Sequence, residues 1–105
     1  MSFSVKAQPT FEAPVKIPSP TGEQLVTFIF RHKKRTELKE YFDRVSKTEG
    51  DTPVKDLLEI VEGWKDVSEP FSEQALGELI ENFYGSLPAI FDAYVAGLTQ
   101  AKVGN

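Results

Sequence analysis

The sequence predicts a single α+β domain, an N-terminal β-hairpin followed by about four α-helices. Three observations carry that expectation. Residues 11–17 and 24–31 have the composition and alternation of strands and are separated by a short turn. From Thr36 onward, apolar residues recur at spacings of three and four. The chain has 105 residues, 40% hydrophobic and 27% charged, which is enough for one core and too little for two.

Residues 1–10 are polar and proline-bearing and read as a flexible N-terminus, although Phe3, Val5 and Ala7 alternate in a way that would allow a brief extra strand. The domain is expected over 11–100, with 101–105 as a flexible tail. In the first strand Phe11, Ala13, Val15 and Ile17 alternate strictly, the mark of a half-buried strand. Pro14 lacks an amide and so places this strand at a sheet edge. Ser19-Pro20-Thr21-Gly22 puts proline second and glycine fourth, as a type I turn favours. The second strand is rich in β-branched and aromatic residues, with Val26, Phe28 and Phe30 on one face. A lone hairpin is marginal in water, so that face must pack on helices.

Thr36 is the expected cap of the first helix, whose apolar face is Leu38, Tyr41, Phe42 and Val45. Glu37 near its start and Lys47 near its end suit the helix dipole. Residues 47–51 form a polar loop containing Gly50. The stretch 51–72 organises the rest of the chain. Thr52 and Pro53 read as cap and first residue of a second helix, with Val54, Leu57, Leu58 and Val61 on its apolar face. Gly63 sits where a left-handed residue would end that helix, and Trp64 where it would fold back onto Leu58. Pro70, Phe71 and Ser72 make a bend, with Ser72 capping a third helix marked by Leu76, Leu79, Ile80, Phe83 and Tyr84. Gly85-Ser86 breaks that helix. A fourth follows with Pro88 in its first turn and Leu87, Ile90, Phe91, Tyr94, Val95 and Leu98 on its apolar face. So short a connection makes helices three and four a tight antiparallel or sharply angled pair.

The residues for chemistry are mostly missing. There is no cysteine, hence no disulfide, thiolate nucleophile or thiolate metal site. The one histidine, His32, lies in a basic run with no orienting carboxylate nearby in sequence. No calcium-loop pattern, glycine-rich phosphate loop or nucleophile elbow occurs. Pairs such as Glu59 with Glu62 and Glu78 with Glu81 have helical spacing but are what a solvated helix face produces. No catalytic residue, metal ligand or cofactor is therefore expected. No apolar run approaches the ~20 residues of a membrane span, and the N-terminus lacks the features of a signal peptide, so the cytoplasm is the expected compartment.

Charge is divided unevenly. The formal charge is −4, yet residues 1–36 hold six bases against two acids, and the remainder is strongly acidic. Such asymmetry can support head-to-tail contact between copies, or both sets can simply be solvated. The basic run Arg31, Lys33, Lys34 and Arg35 offers at most four or five phosphate contacts with His32 included, enough for weak nucleic-acid binding and equally suited to an acidic protein surface. Trp64 and Phe71 read either as a core cluster, each worth roughly 1.5–3 kcal/mol by burial, or as a grip on a partner. Phe83, Tyr84, Phe91 and Tyr94 give helices three and four more large apolar side chains than one small core needs. They are candidates for partial exposure in a groove that takes a partner helix, and the same four could instead complete the core.

Taken in order, several segments share a pattern. Phe28-Ile29-Phe30-Arg31 ends a hairpin before a helix rich in lysine and glutamate. Leu57-Leu58-Glu59-Ile60-Val61-Glu62-Gly63-Trp64 runs into a lone tryptophan. Val67, Pro70-Phe71-Ser72, Leu76 and Leu79 follow, then Ala89-Ile90-Phe91-Asp92-Ala93-Tyr94. This order, over about 11–98, resembles the tail assembly chaperones of bacteriophages with long non-contractile tails. The resemblance implies a non-enzymatic protein of the infected cell's cytoplasm, absent from the finished virion. It implies that the partners are the tape-measure protein, whose apolar stripes it coats, and the tail tube protein. In many relatives a ribosomal frameshift adds a second domain, and a chain ending at Asn105 would correspond to the unshifted form. Two other readings stay open on the residues themselves: a structural tail or connector protein, and a regulatory nucleic-acid-binding protein using the run at 31–35.

Overall fold

The computed structural model describes residues 3–47 and 53–99. Strands β1 (Thr10–Ile17) and β2 (Gln24–Arg31) pair antiparallel, from Thr10 opposite Arg31 to Ile17 opposite Gln24. The Gly22 amide donates to the Ser19 carbonyl at 3.0 Å, closing the expected turn. Gly22 adopts φ 120°, which a residue without Cβ reaches freely. β1 lies at the sheet edge, as Pro14 requires. Residues 3–9 add no strand: the Lys6 amide bends back to Ser4 Oγ, and Phe3 and Val5 are each 90% exposed.

The stretch expected to continue the second helix is instead a third strand. Helix α2 (Pro53–Leu58) has six residues and closes in a tightened turn, Ile60 N donating to Leu57 O at 2.9 Å. Strand β3 (Val61–Lys65) then pairs antiparallel with β2, giving the order β1-β2-β3. Val61 is therefore a strand residue opposite Phe30, not part of a helix face. Gly63 is not a helix terminator. It sits opposite Ile29, and the left-handed backbone falls at Asp66, with φ 60°. Register shifts between Ile29 and Phe30, so Glu62 is the extra residue of a bulge.

The remaining helices are α1 (Arg35–Lys47), α3 (Glu73–Asn82) and α4 (Ser86–Thr99). α1 starts one residue before Thr36, which is thus inside the helix and not its cap. The Glu37 carboxylate reaches back to accept from the Lys34 amide at 2.8 Å, half of a capping box. Ser72 caps α3 as expected, its Oγ accepting from Ala75 N at 3.0 Å. Phe83 and Tyr84 lie past the end of α3, and Phe83 is extended. The expectations for Thr52, Gly50 and the 101–105 tail fall outside the described residues.

α4 runs antiparallel to β1. A Cβ at Gly85 would press on Pro18, just past the strand's end, and one at Gly97 would overlap the ring of Phe11, near its start. Helices cover one sheet face, and the core between holds Val15, Ile17, Phe28, Phe30, Leu57, Ile60, Val61, Leu76 and Ile90, all at most 1% exposed. At the Thr10–Arg31 end, Phe11, Phe30 and Tyr94 form an aromatic group with ring centroids 5.1–5.9 Å apart. Hairpin, third strand and four helices form one compact α+β domain.

Candidate partner-binding groove

Trp64 sits on the inner face of β3, opposite Phe28, which it meets edge-on at 6.0 Å. Phe71 also meets the indole edge-on, at 5.0 Å. Its indole Nε1–H donates to the Glu69 carbonyl at 3.0 Å, so the tryptophan ties the loop after β3 to the sheet. The positive φ at Asp66 turns the chain into that loop. The loop, the hairpin turn and one side of α3 then enclose an open groove of about 680 Å³. Ile17, Val26, Trp64, Val67, Leu79 and Phe83 supply its apolar surface. Asp66, Glu69 and Glu78 stand around it, no Lys, Arg or His lines it, and none of the three is in an ion pair among the described residues. The arrangement suits apolar side chains on a segment that also carries positive charge.

The other sequence candidates disperse. Phe71 backs Trp64 from outside the groove lining. Tyr84 is 96% exposed, beside Phe83 at the groove. Phe91 is half-buried on a different face, 5.7 Å from Phe42 and 6.4 Å from Tyr41. Tyr94 is not partly exposed as expected of a contact residue. It is fully buried, and its hydroxyl donates to the Arg31 carbonyl at 2.8 Å. Burial, reinforced by Glu37 and Glu59, pushes its phenol up to about 12. Tyr41 is buried likewise, its hydroxyl donating to the Asp56 carbonyl at 2.6 Å. Burial, then Asp56 and Glu59, holds its phenol far above the usual tyrosine range.

The basic run is divided as well. Lys33 lies 3.3 Å from Glu59 and over the Tyr41 ring at 5.4 Å. Glu59 also binds Arg44, at 2.7 Å. Arg31 faces Glu62 at 3.9 Å. Lys34 and Arg35 are exposed. Half of the run thus meets acids of its own chain, which weakens it as a phosphate-tracking surface. Among the described residues no group of His, Asp and Glu could hold a metal ion, and no helix is long and apolar enough to cross a membrane.

The sequence reading found Trp64 and Phe83 but missed Ile17, Val26, Val67 and Leu79 as groove residues, because each also fits a core pattern. It missed Asp66, Glu69 and Glu78 too. A signal for these was present: 66–100 contains six acids (Asp66, Glu69, Glu73, Glu78, Glu81 and Asp92) and no Lys, Arg or His.

Compared with protein families, the chain matches the family described as phage tail assembly chaperone over residues 1–105. No curated protein and no solved structure matches it.

Proposed function

The chain belongs to the phage tail assembly chaperone family, and on that premise we propose that it binds the tape-measure protein through the groove beside Trp64 and helps recruit the tail tube protein. The role is non-enzymatic. It is carried out in the cytoplasm of the host, for a phage or prophage, and the protein does not stay in the finished virion. The observation that carries this reading is the groove itself, lined by apolar side chains from all three strands and α3 together with three acids. A helical segment with apolar anchors three and four residues apart, flanked by lysine or arginine, complements it in shape and charge. Individual grips of this size are weak, and repetition along a long helix supplies the avidity.

Co-expression tests it. A tape-measure fragment that is insoluble alone should remain soluble with the wild-type chain and precipitate with the Glu69→Lys/Glu78→Lys variant. Lys34→Glu/Arg35→Glu should behave as wild type. Equal solubility with and without the chain would refute the chaperone role, and loss of solubility only in the Lys34/Arg35 variant would move the site to the basic run.

A further inference from the structure

The three tyrosines of the chain have unlike surroundings. Tyr41 and Tyr94 are buried, and their hydroxyls donate to the Asp56 and Arg31 carbonyls. The Tyr41 ring is also covered by cations of its own chain, Lys33 at 5.4 Å and Arg44 at 5.5 Å. Tyr84 is 96% exposed, and among the described residues its side chain has no hydrogen bond, no ring contact and no cation over its face.

The backbone that carries this free ring is nevertheless fixed on both sides. The Phe83 amide donates to the Leu79 carbonyl at 2.9 Å, and the Phe83 carbonyl accepts from the Ser86 amide at 3.0 Å. Gly85 lies so close to Pro18 that a Cβ there would come within 2.6 Å of its ring. Phe83 lines the groove on one side of Tyr84, and on the other Pro18 stands between the groove residues Ile17 and Ser19. Tyr84 is thus held at the corner where the end of α3 meets the hairpin, beside the groove. An ordered backbone presenting an aromatic side chain that does nothing for the fold suits an anchor for a partner, because little ordering remains to be done on binding. Charge says which partner. A tyrosine face attracts a cation within about 6 Å of its centroid. The cations that Tyr41 finds in its own chain are missing for Tyr84 from α3, α4 and their connection, since 66–100 contains no Lys, Arg or His. Asp66, Glu69 and Glu78 in the groove favour a ligand of the same sign.

We propose that Tyr84 forms the outer wall of the occupied groove, its ring against the side chain of one lysine or arginine of the bound segment. Tyr84 takes this role on the premise, argued above, that the groove is the partner site. It then sets specificity as well as affinity: it favours an apolar segment with a base at one position over an apolar segment without it.

Isothermal titration calorimetry with a soluble tape-measure fragment tests this. The chains are wild type, Tyr84→Ala and Tyr84→Phe. The fragment is used as it is and with each of its lysines and arginines changed singly to glutamine. All three chains should unfold at the same urea concentration, because the side chain is exposed and unengaged. Tyr84→Ala should weaken binding about five- to tenfold, the size of a cation–π contact removed from a partly desolvated site. Tyr84→Phe keeps the ring and should bind as wild type does. One glutamine version should abolish the difference between wild type and Tyr84→Ala, and so identify the base that the ring holds. Tyr84→Ala binding as tightly as wild type, or binding every glutamine version more weakly by the same factor, would overturn the proposal and leave the groove standing. A wild type that binds no fragment would overturn the partner reading itself, so the two fail separately.

Discussion

The two ends of the three-stranded sheet use the same residue types and end differently. At the Thr10–Arg31 end, Phe11, Phe30 and Tyr94 pack ring on ring, α4 lies against the strand at Gly97, and the Tyr94 hydroxyl is taken up by the Arg31 carbonyl. Several nearby charges are matched, Arg31 with Glu62 and both Lys33 and Arg44 with Glu59. At the hairpin-turn end, Ile17, Val26, Trp64 and Phe83 surround an open groove, and Asp66, Glu69 and Glu78 face it without bases. One end is finished within the chain. The other has apolar surface and charge that only another segment would complete. Aromatic count does not separate them: what does is whether each polar atom and each charge already has its partner.

The comparison breaks most severely if the closed end is emptied. Phe30→Ala removes a fully buried ring between Phe11, Phe28 and Tyr94. It should cost ~3–5 kcal/mol in urea unfolding, a large part of the ~5–15 kcal/mol that holds such a domain. Gly97→Ala comes next. Its new methyl meets the Phe11 ring, which is held between Phe30 and Tyr94 and has little room to yield, so a loss of ~1–3 kcal/mol is expected. Tyr94→Phe keeps the ring and orphans the Arg31 carbonyl, for ~0.5–1.5 kcal/mol.

High pH probes the same end without a mutation. The Tyr94 phenol is raised to about 12 in the folded chain, against ~10 when unfolded. The folded state therefore holds this proton more tightly. The stability it contributes is intact below pH ~10 and is lost as pH rises toward 12, and Tyr41 shifts in the same direction. Phenolate absorbance from these two residues should appear together with loss of helical circular dichroism. Phenolate absorbance from all three tyrosines at pH 10, with the fold intact, would contradict their burial. The smallest effect is expected at the open end: Glu69→Lys/Glu78→Lys should change stability by no more than ~0.5 kcal/mol while abolishing partner binding.

Much of the hairpin was legible in sequence. Strict alternation in β1, Pro14 at an edge and the Ser19–Gly22 turn all express local rules, and the structure obeys them. β3 was not legible because its bulge disguises it. With Glu62 as an extra residue, the inward-facing Val61 and Trp64 stand three apart, which is helix spacing. Gly63 then imitates a helix terminator, and pairing with β2, over thirty residues away in sequence, decides against the local pattern. The groove was only half legible for a related reason. Trp64 and Phe83 announce themselves as aromatics, whereas Val26 and Leu79 look like core until the fold leaves them half-buried at the groove. Tyr94 erred the other way: nothing in its own helix shows that its hydroxyl has the Arg31 carbonyl, 63 residues away, to bond.

The most direct measurement is an NMR titration with a soluble tape-measure fragment. Trp64 is the only tryptophan, so its indole N–H, bonded to the Glu69 carbonyl at the groove, gives one unambiguous resonance. Binding in the groove predicts that this resonance shifts with the backbone signals of Val67, Leu79 and Phe83, while those of Lys34 and Arg35 stay in place. Shifts confined to Lys34, Arg35 and α1, with the indole unmoved, would contradict the groove as the partner site.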